Sequence, residues 1–137
     1  MRIGDIMTPV ETIEPGASIQ RAAERMRDLD VGALPVCDGD RLVGMITDRD
    51  IAVRATADGI DPHRCRVEDA MTREMHYCLA DDDVAEAAEL MKAKQIRRLP
   101  VLDQDHRLVG TVSLGDLAMV LGSQDSGRTL EQISKQA

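Results

Sequence analysis

Gly44-Met45-Ile46-Thr47-Asp48-Arg49-Asp50 and Gly110-Thr111-Val112-Ser113-Leu114-Gly115-Asp116 are one pattern written twice. Each has a glycine, two strand-forming residues, a hydroxyl, two further residues and an aspartate. Working outward, the rest of the chain repeats as well. Asp5-Ile6-Met7-Thr8 returns as Asp69-Ala70-Met71-Thr72, a shift of 64, and Leu34-Pro35-Val36 returns as Leu99-Pro100-Val101, a shift of 65. Arg41-Leu42-Val43-Gly44 returns as Arg107-Leu108-Val109-Gly110, a shift of 66. A shift that grows one residue at a time is what small loop insertions produce. One falls before the first helix of the second copy, the other in the turn containing His106. Self-similarity of this kind marks a fold made of two equivalent units.

Within each copy the local patterns agree. Ile19, Ala22, Ala23, Met26 and Leu29 recur at helical spacing, with Ser18 placed to cap the helix. Val84, Ala87, Ala88 and Met91 repeat that helix, with Asp83 at the cap. An apolar run follows in each copy, Ala33–Cys37 and Leu99–Leu102. Next comes a turn, Asp38-Gly39-Asp40 or Asp103-Gln104-Asp105-His106, and then a second apolar run. Asp-Gly between two apolar runs is a hairpin signal. A last helix carries Ile51, Ala52 and Val53, or Leu117, Ala118 and Val120. Each copy reads strand–helix–strand–strand–helix, an α+β (α/β) arrangement. Neither copy is large enough to bury its own sheet comfortably, so the two are expected to pack about a pseudo-twofold axis. The expected division is 1–60, 61–122 and a C-terminal tail at 123–137 of marginal order. Polar residues 55–66, with Gly59 and Pro62, read as the linker.

Composition narrows the function. The 137 residues are 43% hydrophobic and 31% charged, yet include one Tyr, no Phe and no Trp. The core is therefore aliphatic, and base-stacking modes of single-strand binding lack their aromatic platforms. With 17 Lys and Arg against 25 Asp and Glu, the net charge is −8, which argues against a nucleic-acid partner. No apolar run approaches the roughly 20 residues of a membrane span, and the N-terminus lacks a signal peptide's apolar core. Three cysteines, Cys37, Cys65 and Cys78, are an odd number without a C-x-x-C, which suits a cytoplasmic protein.

The repeated box suits a nucleotide. A helix start offers unpaired N–H groups to phosphate. The Thr47 or Ser113 hydroxyl can donate to a phosphate oxygen. Asp50 and Asp116, on the same side of the first turn, can accept from ribose hydroxyls. Gly44 and Gly110 admit a close approach of ligand or backbone to the strand. Asp50 is expected at an exposed helix start, so its replacement by alanine should barely alter the fold. The same residues also make an ordinary N-cap with an acidic first turn; two copies, each after a glycine and a strand, favour the functional reading.

With these residues in view, the chain resembles a tandem CBS-domain pair, the cystathionine β-synthase type of regulatory module, over about residues 1–122. Its Thr-Asp-Arg-Asp box resembles that of bacterial stand-alone members. The resemblance implies an adenosine-containing ligand (AMP, ADP or ATP, in some members S-adenosylmethionine or a dinucleotide) in two clefts between the repeats. The first site would use Thr12, Ile13, Leu34, Pro35, Val36, Thr47, Arg49 and Asp50. The second would use Tyr77, Cys78, Leu99, Pro100, Val101, Ser113 and Asp116, with Arg97 and Arg98 reaching phosphate. Gly115 stands where the first copy has Arg49, so the first site is expected to bind more tightly. The resemblance also implies a homodimer and a signal passed to a separate effector protein. No cofactor is required beyond that regulatory nucleotide.

Two further readings compete with a nucleotide sensor. One is a structural dimerisation module whose pockets are vestigial. The other is a small metal or redox protein using His63-Arg64-Cys65 and His76-Tyr77-Cys78, whose four His and Cys residues match zinc's ligand preferences but not the usual spacing. The expectation is no metal and no enzyme, because no nucleophile, base and orienting group fall into a catalytic order.

Overall fold

The computed structural model describes residues 1–122, and the expected C-terminal tail lies outside them. Packing divides the described residues into two compact units: Glu11–Met75, and Met1–Val10 together with the described residues from His76 onward. These units do not follow the sequence repeats. The first ten residues pack with the second repeat, and residues 61–75 pack with the first.

In the Glu11–Met75 unit, α1 (Ile19–Leu29) starts where the Ser18 hydroxyl accepts the Arg21 N–H at 3.1 Å. It stops at Asp30, whose backbone is left-handed with φ of 56°. Ile19, Ala22 and Met26 are its buried stripe. Ala23 and Leu29, expected on that face, lie outside it and are exposed, because the inward stripe is narrower than the apolar pattern. β1 (Ala33–Asp38) and β2 (Arg41–Thr47) form the expected hairpin. Gly39 turns it with φ of 65°. α2 (Asp48–Ile51) runs directly into a π-helical turn over Ala52–Thr56.

Residues 55–66, read as a linker, are partly built into this unit. Cys65 is buried, and its carbonyl accepts the Ile19 N–H at 2.9 Å. α3 (Val67–Ala70) follows, with Val67 and Ala70 in the core beside Ile13, Val36 and Ile46.

The other unit repeats the plan. β3 (Cys78–Leu79) runs parallel to β4 (Arg98–Leu102), which pairs antiparallel with β5 (Leu108–Ser113), in the order β3-β4-β5. α4 (Val84–Lys94) is capped by Asp83, whose carboxylate accepts the Ala85 N–H at 3.0 Å. α5 (Leu114–Leu121) follows β5 without a loop. The turn before β5 is closed by the Asp103 carboxylate, which takes the N–H groups of Asp105 and Arg107, each at 2.9 Å. Those bonds hold His106 at φ of 62° without a glycine. Ile3 of the N-terminal 3-10 turn (Ile3–Asp5) is fully buried in this core with Met91, Leu99 and Leu117.

Both hairpins share a register. Pro35 faces Met45 and Pro100 faces Thr111, and each ladder bulges just beyond, at Val36/Cys37 and Val101/Leu102. A proline fits inside β1 because its peptide edge faces away from β2. The Pro35 carbonyl accepts from Ile13 N at 3.0 Å, while Met45 turns its own N–H to Thr72.

Candidate functional site

The Gly-h-h-[Thr/Ser]-x-x-Asp boxes sit at the two strand-to-helix junctions, β2 to α2 and β5 to α5. Each closes a reciprocal cap. The Thr47 hydroxyl accepts the Asp50 N–H, and the Asp50 carboxylate accepts the Thr47 N–H, both at 3.0 Å. Ser113 and Asp116 do the same at 3.1 and 2.9 Å. Each hydroxyl is used as an acceptor only, so its proton stays available to a further acceptor.

Over the first box lies a cleft of about 570 Å³. Thr47, Arg49 and Asp50 meet there with Met45, Val53, Arg54, Thr72 and Glu74. Among the described residues the Arg49 guanidinium has no hydrogen-bond or ion-pair partner, so it is a cation free to meet an anion. Asp50 is 9% exposed, not the exposed residue expected from its place at a helix start. Residues 71–75 explain the difference. The Thr72 hydroxyl donates to Asp50 Oδ1 at 3.2 Å, and Arg54 Nε stands 3.9 Å from the same oxygen. Arg54 also donates to the Met71 carbonyl at 3.1 Å.

Thr72 is there because its backbone pairs with Met45 in both directions, at 2.8 and 2.9 Å. That pairing needs Gly44, since a Cβ at Gly44 would stand 2.7 Å from Met71 Sδ and 2.9 Å from the Thr72 carbonyl oxygen. Thr8 pairs with Thr111 in the same way beside Gly110. The glycines therefore admit the repeated Asp-h-Met-Thr segments, which is the backbone half of the close approach expected of them.

The remaining expected site residues are placed differently. Leu34, Pro35 and Val36 are buried, as are Leu99, Pro100 and Val101, and their side chains are not among the cleft's lining. Ile13 is buried against β1, with its backbone bonded to Pro35 and Cys37, and Thr12 is half-buried beside it. In the other unit Cys78 is buried with its thiol on the Pro100 carbonyl at 3.8 Å. Tyr77 is exposed, its ring edge-on to His106. Arg97 and Arg98 are exposed, and the Arg97 carbonyl takes the Leu114 N–H at 2.8 Å, fixing the start of α5. The sequence reading missed Arg54, Thr72 and Glu74. The repeated Asp-h-Met-Thr was the signal for Thr72.

Comparison with known proteins decides the family, since the CBS domain matches twice, over residues 3–55 and 67–123. The chain belongs to the CBS-domain family. A CBS domain-containing protein of Bacillus subtilis, YhcV, is 43% identical over 130 residues, covering 94% of this chain and 91% of its own. The crystal structure of Hypoxic Response Protein I with two coordinated zinc ions matches with a TM-score of 0.78 at 38% identity, covering 88% of this chain and 99% of the other. The CBS domain pair of protein MJ0100 in complex with 5′-methylthioadenosine and S-adenosyl-L-methionine matches at 0.71 and 31% identity, covering 89% and 100%. CBSX2 in complex with AMP matches at 0.71 and 28%, covering 97% and 98%. A CBS pair is a regulatory module, and this chain carries one.

The zinc of one relative calls for a test of this chain's own ligands. Among the described residues, no three His, Cys, Asp or Glu side chains converge to hold a metal ion. His63 and His76 are exposed, whereas Cys65 and Cys78 are buried, so neither His-x-Cys pair turns both members to one place. Among the described residues no helix is long and apolar enough to cross a membrane.

Proposed function

We propose that this chain is a cytoplasmic sensor of an adenosine-containing nucleotide (AMP, ADP or ATP) that passes its occupancy to a separate protein. The observation that carries the reading is the cleft at the first box. Its volume lies within the about 300–1,000 Å³ of small-molecule sites, and it gathers a free guanidinium, a hydroxyl with a spare proton and a carboxylate. Those are the groups a nucleoside phosphate needs: Arg49 and Thr47 for the phosphate, Asp50 for the ribose diol. Two structural relatives hold adenosine compounds, AMP in one and S-adenosyl-L-methionine with 5′-methylthioadenosine in the other. Ser113 and Asp116 are the corresponding box of a second site, with Arg97 and Arg98 as its candidate cations for phosphate. The protein acts as a homodimer, which would cover the apolar side chains left exposed, Met119 among them. Neither reaction chemistry nor a bound cofactor enters this account.

A thermal-shift screen with AMP, ATP, NADH, S-adenosylmethionine and zinc tests the reading. An upward shift with at least one adenosine compound, saturating with concentration, is the expected result. A response to zinc alone would replace this reading with the metal-binding one, and no response to any compound would leave a structural module.

A further inference from the structure

The two boxes, alike in sequence, hold their aspartates in different ways. Asp50 Oδ2 takes the Thr47 N–H, and Oδ1 takes the Thr72 hydroxyl with Arg54 close by. The Asp50 side chain is 12% exposed. Asp116 Oδ2 takes the Ser113 N–H in the same way, but its other oxygen has no partner among the described residues. The residues that would supply one are present but do not reach it. Thr8, which pairs with Thr111 as Thr72 pairs with Met45, turns its hydroxyl to the Thr111 carbonyl at a long 3.5 Å. Position 120, the counterpart of Arg54 at the shift of 66, is a valine.

We infer that Thr72 and Arg54 form a latch on Asp50 that sets the occupancy of the first site, while the second site, which lacks the latch, takes ribose first. The inference rests on the nucleotide-sensor reading above. A ribose diol binds a carboxylate best where an oxygen is left free of other donors to accept from it. At Asp50 the diol competes with the Thr72 hydroxyl and Arg54 for Oδ1, and where it takes the place of Thr72 it exchanges one hydroxyl-to-carboxylate bond for another with little net gain. At Asp116 the acceptor oxygen is already open. The sequence ranked the first site higher because of Arg49, but that residue addresses phosphate, and the latch acts on the ribose contact.

The latch also gives occupancy a structural consequence. Thr72 lies just before the chain passes from one compact unit to the other at Met75 and His76. A ligand on Asp50 releases the hydroxyl that ties this passage to α2. In this way a small molecule at the cleft changes the restraint on the segment joining the two units.

Calorimetric titration with AMP, in an Asp116→Ala background that isolates the first site, tests the inference. Thr72→Val keeps the side chain's shape and removes its donor. It should raise AMP affinity three- to tenfold, and Thr72→Ser, which restores the hydroxyl, should bring affinity back. Urea unfolding of each variant confirms that the fold is retained. Unchanged or weaker binding by a folded Thr72→Val, in a protein that otherwise binds AMP, overturns the latch and leaves the sensor reading standing. Absence of AMP binding in the wild type and in every variant overturns both.

Discussion

Gly44 lies directly beneath Thr72. Their neighbouring backbones are so close that a Cβ on the glycine would stand 2.9 Å from the Thr72 carbonyl oxygen. The relationship ties the second copy of Asp-h-Met-Thr to the first copy of the Gly-h-h-[Thr/Ser]-x-x-Asp box. Gly110 repeats it with Thr8, again at 2.9 Å. Each compact unit is thus completed by a segment that the sequence repeat assigns to the other copy.

Gly44→Ala should therefore destabilise the protein by about 1–3 kcal/mol, the range for overpacking a well-filled site. Gly110→Ala should act similarly, since Met7 Sδ and the Thr8 carbonyl oxygen crowd it as closely. Urea unfolding measures both. Alanine variants as stable as the wild type would show that the Met-Thr segments are not seated on these strands.

Asp50→Ala removes the acceptor for the Thr47 N–H and the Thr72 hydroxyl and leaves Arg54 without its carboxylate. The expected loss is about 1–3 kcal/mol, as for hydrogen bonds to a charged group in a partly buried place. Asp116→Ala removes only a cap contact and should lose about 1 kcal/mol. Equal effects at the two positions, read from unfolding midpoints, would contradict the asymmetry between the boxes.

The cysteines make a prediction about pH. Burial first, and then the charge of Asp82, pushes the Cys78 thiol up to about 12. Burial and Asp40 push Cys37 up to about 11, against an ordinary 9.0. The fold holds both thiols neutral, while the unfolded chain ionises near 9.0. Their contribution to stability is therefore complete below pH 9 and is lost as pH rises toward 11 and 12. At pH 8 the native thiolate fraction of Cys37 is about 100-fold below that of an unfolded cysteine. Iodoacetamide should label Cys37 and Cys78 in the native protein at least about 100-fold more slowly than in the urea-unfolded chain, read residue by residue. Comparable rates would contradict the burial of these thiols.

Met119 is 86% exposed on α5, in a helix whose other face fills the core through Leu114 and Leu117. Sedimentation at micromolar concentration should give a species of twice the 15.0 kDa chain, and Met119→Lys should shift it toward the single chain. A wild-type protein that sediments only as a single chain would count against the dimer.

Much of this was legible in the sequence, because it depends on local physics. Ser18 and Asp83 were readable as caps, and Asp38-Gly39 as a turn, since each acts on residues within three or four positions. The repeat made the pairing of β1 with β2, and of β4 with β5, readable as well. Long-range placement was not readable. Nothing in the spacing of Asp69-Ala70-Met71-Thr72 says that Thr72 will sit on Met45 and bond Asp50, 22 residues away in the chain. For the same reason Asp50 read as exposed. Arg54 stands four residues after Asp50, a spacing the sequence does offer, but its bond to the Met71 carbonyl 17 residues away is again a long-range placement.

The central claim is that the chain binds an adenosine-containing nucleotide, and calorimetric titration of the unmodified protein with AMP tests it most directly. The account predicts saturable binding that inosine monophosphate, with its different base edge, reproduces at least about tenfold more weakly. It also predicts that Asp50→Ala and Asp116→Ala together abolish that binding. Failure to bind AMP, ATP or S-adenosylmethionine at millimolar concentration, in a protein shown to be folded, would contradict it.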